Sequence, residues 1–83
     1  MVSGRVTTAS GKGIRNARVM MINQDGETRI ALTGSFGYFR FKEVSAGETY
    51  MFSVKSKRFR FSSGTQLLFI TDEFSDLIFT ADW

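Results

Sequence analysis

The residues of this chain best suited to chemistry are cations set among aromatic rings. Lys55, Lys57, Arg58 and Arg60 fall within KSKRFRF, interleaved with Phe59 and Phe61. Cations in such a run pair with phosphate, sulfate or carboxylate, and aromatic faces stack on bases or sugars. A second stretch, Gly34 to Phe41, reads GSFGYFRF and runs on into Lys42. There Phe36, Tyr38 and Phe41 could stack on bases with Arg40 near phosphate. Trp83, the single tryptophan, could stack on a sugar or cover the edge of a sheet. The candidate binding patch is therefore Lys55, Lys57, Arg58, Arg60, Arg40, Lys42 and Trp83. Asp72, Glu73 and Asp76 offer oxygen ligands for Ca²⁺, but without a dense D-x-D-x-D loop they read as a solvated turn.

Composition narrows the chemistry further. The chain has no His and no Cys. It therefore has no imidazole base, no Ser-His or Cys-His pair, no thiolate and no His ligand for zinc. The expectation is a protein with no catalytic residues, no metal site and no cofactor. Eleven Lys and Arg against eight Asp and Glu give a net charge of +3, which permits a polyanionic partner without demanding one. The lack of Cys suits a reducing compartment and equally a bacterial surface protein that does without disulfides. No apolar run is long enough to span a bilayer, so no membrane insertion is expected. The start, MVSGRVT, lacks the charged and apolar regions of a signal peptide.

The elements that must position these residues are short strands. Eighty-three residues make one domain, and 42% hydrophobic content favours folding. Period-two patterning predicts strands at Val2–Thr8, Ala17–Asn23, Thr28–Thr33, Tyr38–Lys42, Thr49–Ser56, Gln66–Thr71 and Asp76–Ala81. Ala17, Val19 and Met21 share one face, as do Tyr50, Phe52 and Val54. Phe39 and Phe41 are read as core, with Arg40 and Lys42 outward. Gly11, Gly37 and Gly47 mark turns, and Asp25-Gly26 suits a primed hairpin turn. Proline is absent, so edge protection falls to cations: Arg18, Arg29, Arg40, Lys55 and Lys57 are placed on the outward phase. Met20 and Ile22 share that phase. Leu68 and Ile70 join them if Leu67 and Phe69 point inward, leaving an apolar patch for another domain to cover. No window carries a helical period. The pattern predicts an all-β, seven-stranded Greek-key sandwich, with an OB barrel as the alternative.

Two family resemblances bear on this. GSFGYFRF resembles the RNA-recognition strand K/R-G-F/Y-G/A-F-V-x-F/Y. It departs from it at Gly34, Ser35 and Phe39, and the helices of that domain have no counterpart here. The second resemblance covers nearly the whole chain. Val2, Gly4, Val6, Gly11, Ile14, Ala17 and Val19 follow the opening V-x-G-x-V-x-x-x-x-G-x-x-I-x-x-A-x-V. Thr33, Gly37, Phe39, Phe41, Val44, Gly47 and Tyr50 follow T-D-x-x-G-x-F-x-F-x-x-L-x-x-G-x-x-Y. Phe59, Phe61 and Ser62, then Ile78 to Ala81, are similar to the close of bacterial Ig-like copies of the module. These motifs resemble the carboxypeptidase regulatory-like domain, of the transthyretin-like (prealbumin-like) group. Gly34 stands where that pattern has Asp, and Ser63 where it has Pro.

The resemblance implies a prealbumin-like or Ig-like fold and an accessory role: a non-catalytic structural or interaction module. Residues 1–83 would be one domain excised from a longer, bacterial secreted or surface protein, placing the parent chain outside the cell. Hydroxyisourate hydrolases of the wider group use His, Arg and a Tyr-Arg-Gly-Ser tail, whereas this chain ends Ala81-Asp82-Trp83. Some related surface modules carry a Lys-to-Asn isopeptide bond. Here Asn occurs only at positions 16 and 23, so none is expected, and an intact mass lower by one ammonia would overturn that. The expected partners are neighbouring domains or another protein. A polysaccharide or other polyanion on the Lys55–Arg60 run is the alternative, and nucleic acid ranks last.

Overall fold

A computed structural model describes all of residues 1–83. Seven strands form: β1 Val2–Thr7, β2 Arg18–Ile22, β3 Thr28–Leu32, β4 Tyr38–Phe41, β5 Glu48–Lys55, β6 Thr65–Ile70 and β7 Phe74–Thr80. There is no helix. The last strand begins at Phe74 rather than Asp76, because Val2 of β1 pairs with Phe74.

The strands divide into a three-stranded sheet, β4-β1-β7, and a four-stranded sheet, β3-β2-β5-β6. Neighbours are antiparallel except β1 and β7, which run parallel. β2 and β3 form a hairpin, β4 crosses to the other sheet, and β5 returns beside β2. This is a Greek key. β1 closes the second sheet by pairing with both β4 and the final strand.

Alternation places Val2, Val6, Val19, Met21, Phe39, Phe41, Tyr50, Phe52, Val54, Leu77 and Phe79 between the sheets, all of them buried. The rings form a continuous chain. Phe39 lies 6.4 Å from Phe79 and 6.2 Å from Phe41, and Phe41 lies 6.1 Å from Phe52. Two of these rings settle the fourth strand: Phe39 and Phe41 are core, and Arg40 between them is exposed.

Gly4 is the point where β1 slips register against β7. A Cβ there would sit 1.8 Å from the Leu77 carbonyl oxygen, so only glycine allows the strands to close. Thr33 is a buried polar staple in the loop after β3. Its hydroxyl donates to the Ile14 carbonyl at 2.5 Å and accepts from the Ala17 amide at 2.9 Å.

Two expectations about which way side chains point are corrected. The patch was expected to include Leu68 and Ile70 if Leu67 and Phe69 point inward; that condition is not met, because the β5–β6 register sets Leu68 opposite Tyr50 and Gln66 opposite Phe52. Leu68 and Ile70 therefore face the core, and Leu67 and Phe69 face out. Both phases of β6 are apolar, so periodicity alone could not fix the face; the register does. Arg29, placed on the outward phase, pairs with buried Met21 and so lies on the core-facing side at the sheet edge. Its guanidinium rests 5.6 Å over the Phe41 ring and donates to the Lys42 carbonyl at 2.6 Å. It closes the β3/β4 side of the sandwich, its apolar stem over the core and its charge at the rim. Gln66 does the same on the opposite side, donating to the Ile78 carbonyl at 2.8 Å.

Candidate functional site

The basic run begins where β5 ends. Lys55 faces outward, directly opposite Arg18 of β2. The chain then leaves the sheet, and Lys57 and Arg58 stand exposed in a turn braced by the Arg58 amide on the Ser56 hydroxyl at 3.2 Å. Next it returns along the end of the sandwich, with Phe59 and Phe61 packed against the core. Arg60 is clasped to the C-terminal residues: its amide donates to the Trp83 carbonyl and its carbonyl accepts from the Asp82 amide, both at 2.8 Å. The Ser62 amide donates to the Asp82 carboxylate. Hydrogen bonds from the Ser62 hydroxyl, then from its amide, hold the Asp82 carboxyl below the ordinary aspartate range. Lys55, Arg60, Phe59, Phe61 and Trp83 thus rim one shallow groove, with the Trp83 ring 71% exposed.

The remaining candidates lie elsewhere. Arg40 sits opposite Ser3 on the outer face of the three-stranded sheet, in a separate shallow groove with Tyr38, Leu32 and Ser75. Lys42 follows β4 at the far end of the molecule, where its carbonyl holds Arg29. So the seven candidate patch residues do not form one patch. Lys55, Lys57, Arg58, Arg60 and Trp83 share one end of the sandwich; Arg40 and Lys42 do not belong to it.

A base-stacking platform of Phe36, Tyr38 and Phe41 is not formed, because Phe41 is core. Tyr38 is instead engaged by Arg5, whose guanidinium lies 4.9 Å over the ring while its Nε donates to the Phe36 carbonyl at 2.8 Å. The sandwich itself replaces the alternative of an OB barrel. Asp72, Glu73 and Asp76 are exposed, and the Asp72 carboxylate accepts the Glu73 amide at 2.8 Å, as in a solvated turn.

The turn glycines Gly11, Gly37 and Gly47 have φ of 91°, 85° and 80°. Gly37 is the most constrained, since a Cβ would lie 2.2 Å from the Val6 carbonyl oxygen.

A family model of the carboxypeptidase regulatory-like domain matches residues 1–80. The chain belongs to that family. The family fold is a transthyretin/Ig-like β-sandwich, and its members are non-catalytic modules of larger proteins. No curated protein matches the chain.

Two further features of this regulatory-like domain concern its surface. The outer face of the four-stranded sheet carries apolar side chains on every strand, with Ser53, Thr49, Thr28 and Thr65 set among them. Ile30 pairs with Met20, Met51 lies between Ile22 and Leu67, and Phe69 and Leu32 extend the strip. Leu67 and Phe69 are 70% and 62% exposed. Contiguous apolar surface of this kind is a candidate interaction site. The sequence had flagged Met20 and Ile22 but paired them with the wrong residues of β6.

The second feature is charge. The domain is 34 Å long and 19 Å wide. Lys12, Arg15, Arg18, Lys55, Lys57, Arg58 and Arg60 gather at one pole, where the only acidic side chain is Asp82. Asp25, Glu27, Glu43, Glu48, Asp72 and Glu73 gather at the other, with Lys42 and Arg29. A net charge of +3 conceals a strongly polarised molecule.

Proposed function

We propose that this domain is a non-catalytic structural and interaction module of a larger bacterial secreted or surface protein, and that it works by presenting the outer face of its four-stranded sheet to another protein surface. The observation that carries this reading is the apolar strip in which exposed Ile30, Leu67 and Phe69 adjoin half-buried Met20 and Met51. A lone domain gains nothing from leaving such side chains in water, whereas burying each stabilises a contact by about 1.5–3 kcal/mol. The resemblance of its last strands to bacterial Ig-like copies of the module supports the extracellular setting.

Methionine oxidation tests the reading directly. Met20 and Met51 lie on the strip, while Met21 lies in the core. In the parent protein, peroxide should oxidise Met20 and Met51 several-fold more slowly than in a dilute solution of residues 1–83, read by peptide mass spectrometry. Equal rates in the two would defeat the proposal.

A second reading rests on the groove at the basic pole. Lys55 and Arg60 flank the exposed Trp83 ring, an arrangement suited to an anionic polysaccharide. Trp83 is the only tryptophan, so its emission reports on that groove alone. Titration with a sulfated or uronic-acid polymer at low salt should shift the emission, and Arg60→Glu should abolish the shift. An unchanged spectrum removes this reading.

A further inference from the structure

The apolar strip runs between the two charge poles. Arg18 and Lys55, paired across β2 and β5, end the strip on one side. The β2–β3 and β6–β7 turns, carrying Asp25 and Glu73, end it on the other. An apolar centre with a basic end and an acidic end is complementary to itself when turned through 180° about an axis in the plane of the face and perpendicular to the strands. Under that rotation the strands of the two copies run antiparallel and the strips coincide. Each basic end then meets the partner's acidic end, twice over, as an isologous contact requires. A partner in the opposite orientation would set like charges together at both ends, which is a strong selection against it. Sheets also pack well face to face with strand directions aligned, about 10 Å apart.

We propose that the surface covering this face is a second copy of the same domain, packed sheet to sheet in antiparallel orientation, so that the module pairs its host proteins as a twofold dimer. The proposal rests on the interaction reading above and names its partner.

Charge reversal tests both the partner and its orientation. Arg18→Glu with Lys55→Glu makes both ends of the strip acidic; Asp25→Lys with Glu73→Lys makes both basic. All four side chains are exposed, so folding should be unaffected, which circular dichroism checks. Glu27 is left alone because its carboxylate accepts from the Asn23 side chain at 2.7 Å.

Sedimentation velocity from about 5 to about 500 µM covers the range of weak self-association. The wild-type chain should shift from monomer to dimer mass, more readily at low salt. Each reversed variant should dimerise at least about tenfold more weakly, and an equimolar mixture of the two should recover the dimer. Leu67→Glu should be monomeric throughout. A wild-type chain that stays monomeric, a mixture that fails to pair, or reversed variants that dimerise like the wild type would each overturn self-pairing. The broader interaction reading would still stand or fall on protection of Met20 and Met51 in the parent protein.

Discussion

Thr33 offers the sharpest test of how this small sandwich holds its first loop. The side chain is 3% exposed, and its hydroxyl makes two bonds to backbone that is itself buried: Ile14 at 4% and Ala17 at 0%. Thr33→Val keeps the shape and removes the hydroxyl. It leaves the Ala17 amide and the Ile14 carbonyl unpaired, each at about 1–3 kcal/mol, so the loss should be about 2–6 kcal/mol. An 83-residue domain has about 4–12 kcal/mol in total. The substitution should therefore remove at least about a sixth of the stability and lower Tm by at least about 8–16 °C. Thr33→Ser keeps the hydroxyl and loses one methyl, at about 1 kcal/mol. Urea unfolding followed by circular dichroism, with equal m-values required, gives both numbers. The reasoning fails if the Val variant lies within about 1 kcal/mol of wild type, or if the Ser variant is the less stable of the two.

Gly37→Ala combines a φ of 85° with a Cβ placed 2.2 Å from the Val6 carbonyl; it should cost more than about 3 kcal/mol, seen as loss of the cooperative thermal transition. Phe52→Ala empties the site of a fully buried ring packed between Phe41 and Tyr50, and denaturant unfolding should register a loss of about 3–5 kcal/mol. The Asp82 clasp should respond to acid. Its carboxyl titrates lower in the folded state than in the unfolded one, so the stabilisation is complete above the ordinary carboxylate range near pH ~4 and fades as pH falls through the lower folded value. Trp83 emission should report a step in that acid range that Asp82→Asn lacks; an identical step in the variant would assign it to another group.

What was legible in the sequence follows from how many forces agreed at each position. In β4 and, past Glu48, in β5 one phase is apolar while the other is mixed (Tyr38 and Arg40 in β4; Thr49, Met51, Ser53 and Lys55 in β5), and Phe39, Phe41, Tyr50 and Phe52 fell where periodicity put them. In β6 the run Gln66-Leu67-Leu68-Phe69-Ile70 is apolar in both phases, and only the hairpin register with β5 chooses a face. Arg29 was misread because the rule that cations point outward breaks at a sheet edge, where a long side chain can lie over the core and still reach solvent. Thr33 stood out only as the first residue of a family motif; its role as a staple gave no signal, since its partners Ile14 and Ala17 lie a strand and more away.

The charge poles were within reach, and the route to them is parity. When consecutive strands reverse direction, alternate loops fall at the same end. Loops after odd-numbered strands carry Lys12, Arg15, Lys57, Arg58 and Arg60 and no acid. Loops after even-numbered strands carry Asp25, Glu27, Glu43, Asp72 and Glu73 against the single cation Lys42. Once seven strands are counted, this alternation alone predicts a polarised sandwich. The parallel pairing of β1 with β7 fits the same count, because strands an even number of reversals apart run in the same direction. Net charge averages this pattern away, so reading the KSKRFRF segment as an isolated cationic patch missed its counterpart. The basic end of this domain has an acidic counterpart at the opposite end of the same fold, and the proposed pairing of two copies uses that complementarity.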